Sequence, residues 1–359
     1  DLAPWMGYYA SYQCYYNNAN ECSIRTKTIP FDGAGTDVAA DINTNTIWDL
    51  EMSPIRITPA SGNNYITVNA DLVIESGVTV EIAEGKGILF NGACNQLTVN
   101  GTADLPVNIT DMNKNDNGAK ALGMAFTNTC TTPGGTDDRH QMSHTKFENM
   151  TVAISAGSAW GSSPKTNDNV GDFVLENMNF TNVSKAISHG SGDGTALTME
   201  DFEIWNAADA CIDLPRNSDV ELREGTMDNC NTNWNDWGGA VVSNGVSDDG
   251  SLIMENVTIT NSRSNGVSVD LMDLWMSNVS ITIPDLPGDA GRPGNNWQPD
   301  GAVYHDYNPA AWNTLTNPTF YGYNLDLEGY YRAVYTHASQ SVHMEQIDGT
   351  DMAGFISVI

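Results

Sequence analysis

The sequence predicts an all-β protein, a right-handed parallel β-helix, with coils of about 22–24 residues behind an irregular N-terminal cap. One observation is a repeating frame: apolar-x-x-apolar-x-apolar-x-Asn, then a small residue and one aliphatic. Its clearest copy runs from Leu175 to Ile187 as LENMNFTNVSKAI. The first apolar position recurs at Met142, Leu175, Met199, Leu222, Met254, Met276, Phe320 and Met344, in steps of 33, 24, 23, 32, 22, 44 and 24. The short steps set the period and the long ones add an insertion. A fixed period in this range marks a solenoid, in which each repeat buries its apolar face against its neighbours. A second observation is the Asn column, Asn149, Asn182, Asn206, Asn229 and Asn261, which suits a ladder of stacked turns.

A third observation decides between two solenoids. The leucine-rich repeat shares the apolar frame but expects its Asn one residue later and a helical or extended return. Here the return segments read Ala-Ile-Ser-His, Ala-Val-Val-Ser, Gly-Val-Ser-Val and Ala-Val-Tyr-His. They are β-branched and alternating, with Gly, Asn and Ser at the corners, and make poor helix. Three short strands per coil, joined by turns, fit better.

Taken in order, residues 1–64 form the expected cap or interaction segment. It opens with the aromatic run WMGYYASYQCYY, and a solenoid needs its first coil covered. Residues 65–359 form the expected β-helix. From Tyr65 the alternation is clean: Val78, Val80 and Ile82 share one face, as do Leu97 with Val99 and Val107 with Ile109. Gly77, Gly85, Gly92 and Gly101 mark corners.

Lys and Arg number 15 against 45 Asp and Glu, a formal charge of -30. Such a surface repels nucleic acid and anionic membranes, and suits divalent cations, salt water or neutral sugars. No apolar run is long enough to span a membrane. The six cysteines pair in chain order as Cys14–Cys22, Cys94–Cys130 and Cys211–Cys230, which implies an oxidising, extracellular or cell-surface location. Seven Asn-x-Ser/Thr sequences start at Asn100, Asn108, Asn149, Asn179, Asn182, Asn256 and Asn278. That is about what chance gives in so Asn- and Thr-rich a chain, and Asn149 and Asn182 also sit in the ladder.

The longest insertions bracket the return strand. Its reference aliphatics are Ile154, Ile187, Ile212, Val241, Val267, Val303, Val334 and Ile356. If these point inward, the residues one and three positions later point outward. The first outward row is then Ser155, Ser188, Asp213, Val242, Ser268, Tyr304 and Tyr335. The second includes Asn244, Asp270, Asp306 and His337. Trp234, Trp237, Trp297 and Trp312 lie in the adjoining insertions. Rings stack on the apolar faces of sugars and carboxylates bond their hydroxyls, so Asp213, Asn244, Tyr304, Tyr335 and the four tryptophans are the candidate glycan contacts.

Asp270 and Asp306 fall on adjacent coils and admit three readings: a calcium site, an acid and nucleophile pair with His337 nearby, or two solvated surface aspartates. The stretch NKNDNG (113–118) has the spacing of a calcium loop, but its alternate ligands are neutral Asn. Otherwise no cofactor is implied.

The stretch from Tyr65, ITVNADLVIESGVTVEIAEGKGILF and then LTVNGTADLPVNIT, resembles the opening coils of secreted and cell-surface β-helix proteins. The later Asn-x-x-Ile rhythm resembles the same broad group, which is shared with carbohydrate-binding, sugar-hydrolase and pectate-lyase-like modules. The resemblance implies fold across 65–359, and implies that the loop-flanked return strand floors a substrate cleft. It does not choose an activity. SHGSGDG (188–194) is similar to the Gly-His-Gly element of polygalacturonases, without that family's other elements. The expectation is thus a structural or adhesive surface protein with a glycan-contacting face. The alternative is a polysaccharide lyase or glycoside hydrolase using that face. The apolar final stretch AGFISVI and the aromatic N-terminal run further suggest head-to-tail self-association into a fibre.

Overall fold

The structure is a computed structural model. It describes residues 9–16, 22–29, 35–91, 95–113, 120–127, 139–157, 171–189, 196–214, 219–232, 239–243, 250–262, 265–270, 272–282, 301–306, 318–329, 332–336, 341–350 and 354–358. Of these, 9–16, 22–29, 139, 189, 270, 306, 332 and 354–358 are described by backbone alone.

The fold is the expected parallel β-helix. One sheet has 15 strands and another 11, both parallel throughout. The regular exception is a short 3-10 turn at Leu50–Met52, capped by the Asp49 carboxylate. Strands Tyr9–Tyr16 and Cys22–Ile29 form a separate antiparallel hairpin, with Cys14 opposite Ile24 and Cys22 opposite Tyr16. The solenoid's sheets begin ahead of the expected boundary at residue 65. Thr36–Val38, Thr46–Trp48 and Ile55–Ile57 already belong to the 15-stranded sheet.

Each coil has three straight segments. The first two read as one long strand, such as Asp172–Val183, bent at a residue in the left-handed region. The bend is visible where the earlier coils still have two strands. Leu97–Asn100 pairs with residues 141–143 of Arg139–Glu148, and Val107–Asp111 pairs with residues 145–148, on either side of His144 at φ 44°. The second corner is the Asn column: Asn149, Asn182, Asn206, Asn229 and Asn261 all lie between φ 55° and 62°. Asn is among the few residues that enter this region at low cost, because its amide bonds locally. Here the amides also bond one another: Asn206 donates to Asn182 at 2.6 Å and Asn229 to Asn206 at 2.9 Å.

The first corner was not anticipated. Its column runs His144, Asn177, Asp201, Glu224, Asn256, Asn278, Asn324 and Gln346, all at positive φ. It too is laced by side chains. Asn256 donates to Glu224 at 2.7 Å, Asn278 to Asn256 at 2.9 Å and Asn324 to Asn278 at 2.8 Å. This column corrects the predicted register in one coil. Met276 pairs with Gly322, not Phe320, and Gly322 pairs with Met344. Phe320 has the same inward parity, two residues early, so the apolar frame accepted it. The bend at Asn324, tied to Asn278, sets the true alignment.

Core side chains form rows along the stack. The first-segment row reaches back to Trp48, Ile74 and Val99 before Met142. Phe90 stacks on Phe126 at 4.6 Å and Phe147 on Phe180 at 5.4 Å between ring centroids. Each such buried side chain contributes about 1.5–3 kcal/mol. The rows stay buried up to Phe320, Leu325 and Leu327, whereas Val342, Met344 and Ile347 on the next coil are half-buried.

Cys211 and Cys230 form a disulfide with Cα atoms 5.4 Å apart, buried between neighbouring coils as expected. Cys94 and Cys130 lie outside the described residues, as do the side chains of Cys14 and Cys22.

Candidate functional site

The return strands stack in the predicted register. Ile154, Ile187, Ile212, Val241, Val267, Val303, Val334 and Ile356 are successive partners. The next row, Ser155, Ser188, Asp213, Val242, Ser268, Tyr304 and Tyr335, is therefore aligned on the other side of the sheet. Tyr304 and Tyr335 stack with ring centroids 4.8 Å apart. Asp213 is held by Lys185, whose Nζ lies 2.5 Å from its carboxylate. Asp270 and Asp306 are Cα partners on adjacent strands. Their side chains lie outside the described set, with Asn244, His337, Trp234, Trp237, Trp297 and Trp312.

Pointing away from the core does not make this row open. Ser155 is 1% exposed, Val242 4%, Ser268 7% and Tyr304 8%. Parity along the strand gives only direction, and burial depends on what lies over the sheet.

The 15-stranded sheet presents the open surface. On its second segment, Asn179, Glu203, Thr226, Thr258, Ser280 and Asp326 form one outward row. Thr181, Trp205, Asp228, Thr260 and Thr282 form the next. A groove of about 630 Å³ runs along the first row, lined among others by Asn177, Asp201, Glu203, Glu224, Thr226 and Asn256. Two of its carboxylates are held in place: Asn179 donates to Glu203 at 3.0 Å, and Asn256 to Glu224 at 2.7 Å. Phe202 and Gly225 line its floor. A Cβ on Gly225 would lie 2.1 Å from the Phe202 ring, so glycine is what lets that ring lean toward the next coil. Trp205 projects beside the groove, two residues beyond Glu203, and is 49% exposed.

A second exposed stripe lies on the first segment, where Ile253, Trp275, Tyr321 and His343 are in register. Trp275 and Tyr321 stack at 5.2 Å, and Tyr321 lies 6.0 Å from His343. Rings stacked on each other offer mainly their edges outward. Trp205 stands instead between Thr181 and Asp228, so no aromatic neighbour flanks it along its row.

Trp205 and Trp275 are functional candidates that the return-strand pattern does not select, although the sequence carries their signal. Each lies in an alternating run beside an inward aliphatic, Ile204 or Leu274, and strand parity alone turns it outward. Among the described residues, no group of three or more His, Cys, Asp and Glu is arranged to hold a metal ion. At the NKNDNG stretch, Asp111 accepts from the backbone N–H groups of Asn113 (2.7 Å) and Ala121 (2.6 Å), clamping the base of that loop. Residues 114–119 lie outside the described set.

No family model matches the chain, and no curated protein or solved structure matches it.

Proposed function

We propose that the protein is an extracellular or cell-surface β-helix of structural or adhesive role that holds a neutral glycan on its 15-stranded face. The observation that carries this reading is Trp205, half-exposed beside a groove of carboxylates, amides and hydroxyls in which Asn179 and Asn256 hold Glu203 and Glu224. A ring face takes the apolar side of a pyranose, and fixed acceptors take its hydroxyls. The net charge of -30 disfavours acidic polysaccharides at this groove, where Asp201, Glu203 and Glu224 all converge. The buried Cys211–Cys230 disulfide supports an oxidising compartment. The test is retention of the purified protein on cellulose, chitin and starch against alginate and pectate. Binding to a neutral polymer is expected, and retention by none of the neutral three overturns the reading.

One observation favours a hydrolytic alternative on the return face. Asp270 and Asp306 are strand partners, which sets their backbones about 4.8 Å apart, and a retaining glycosidase needs two carboxylates at close range. Release of reducing ends from the bound polysaccharide, abolished by Asp270→Asn or Asp306→Asn, establishes that alternative. Head-to-tail stacking of copies is also part of the proposal. Monodisperse monomers in sedimentation at high concentration count against it.

A further inference from the structure

The chain offers seven Asn-x-Ser/Thr sequences, and the fold treats them unequally. An oligosaccharyltransferase must reach both the Asn amide and the hydroxyl two residues on. The amide of Asn179 donates to Glu203, and its carbonyl accepts from the hydroxyl of Thr181, the third residue of its own sequence. Asn256 and Asn278 are bonded to each other, and their remaining groups go to Glu224 and Asn324. The Asn182 carbonyl accepts from Asn206, and the Asn149 side-chain oxygen is buried. Asn108 is followed by Thr110, which is buried and donates to the Asp111 carbonyl.

Asn100 combines an exposed, unbonded amide with an exposed third residue. It ends the strand Leu97–Asn100, is exposed, and makes no side-chain hydrogen bond among the described residues. Thr102 is exposed too, in a turn closed by reciprocal backbone bonds of 3.1 Å with Leu105, and its hydroxyl accepts from the Leu105 N–H at 3.1 Å, which leaves the hydroxyl hydrogen without a partner among the described residues. Gly101 between them puts no side chain in the way.

We infer that Asn100 is the N-glycan acceptor of this protein. The donor is an oligosaccharide linked through phosphate to a lipid. The Asn100 amide nitrogen forms a bond to the anomeric carbon as the bond from that carbon to the phosphate oxygen breaks. The lipid phosphate leaves, one amide proton passes to a base of the transferase, and no oxidation state changes. In the cell this rests on the extracellular reading above, because the donor is presented outside the cytosol.

The experiment separates the two claims. Folded, purified protein is incubated with an oligosaccharyltransferase and a lipid-linked oligosaccharide, and its glycopeptides are mapped by mass spectrometry. The expected result is one glycan, on Asn100. Asn100→Gln and Thr102→Ala should lose it, while Thr102→Ser should keep it. Short peptides around Asn179 and Asn256 should accept glycan, because only the fold closes those sequences. A folded chain left unmodified at Asn100, or modified at Asn179, Asn256 or Asn278, overturns the assignment. Fractionation of producing cells tests the other claim. Protein retained in the cytosol, yet modified at Asn100 in the purified reaction, rejects the extracellular reading and leaves the acceptor assignment standing.

Discussion

The two sheets of this solenoid follow different rules of chain length. From His144 onward, wherever both corners are described, the chain runs five residues between them: His144 to Asn149, Asn177 to Asn182, Asp201 to Asn206, Glu224 to Asn229, Asn256 to Asn261 and Asn324 to Gly329; only the earlier coils depart, Val99 to Ile109 spanning ten residues where the aligned Met142 to Phe147 span five. From second corner to return strand it varies, from Asn182 to Ile187 in one coil and from Asn229 to Val241 in another. Constant length keeps outward side chains in unbroken columns, which is what a repeating polymer can read. Variable length ends in a sheet whose outward row is buried in several coils. The regular sheet is therefore the better candidate for contact, although the long insertions flank the other.

The largest expected effect comes from breaking the constant spacing. One glycine inserted after Asn179 reverses the parity of Phe180 and disrupts the Asn182 corner. Loss of the buried Phe180 position alone costs about 3–5 kcal/mol. The same insertion after Gly161, in a stretch whose length differs between coils, should be nearly silent. Thermal denaturation followed by circular dichroism compares the two, and equal midpoints would show that the spacing is not constrained.

Removing the disulfide should come next. It closes a loop with a sequence separation of 19, and Cys211→Ser with Cys230→Ser should lower stability by about 3 kcal/mol on the chain-entropy account. Denaturant titration with and without reductant checks it. Wild-type protein unfolded and refolded in reductant should match the double variant.

The two corners should differ in turn. Asn206→Ala removes two amide bonds and places alanine in the left-handed region, for about 2–3 kcal/mol. Asn206→Gly should recover the backbone part. Glu224→Ala loses one bond, from Asn256, at the other corner, for about 1–2 kcal/mol. The opposite order in urea denaturation would mean that the Asn column is not the stronger ladder.

The return rows and the Asn column were legible because residue type and conformation coincide there: a left-handed corner selects Asn, and an inward strand position selects an aliphatic. The first corner was illegible because its eight residues are of five types, Glu224 and Gln346 among them. They are held by neighbours on the next coil rather than by their own preference, and that is also why Phe320 was mistaken for the partner of Met276. At the site, the direction of Tyr304 follows from parity, but its burial does not, because parity says nothing of what lies over the sheet. Trp205 required only parity.

Binding of a soluble oligosaccharide, cut from whichever neutral polymer retains the protein, tests the central claim most directly. Isothermal titration should show Trp205→Ala weakening binding at least about tenfold, or about 1.4 kcal/mol. Tyr304→Ala with Tyr335→Ala should leave affinity within about twofold, or about 0.4 kcal/mol. Unchanged affinity in the Trp205 variant, with binding lost in the tyrosine pair, would contradict the account and place the glycan on the return strands.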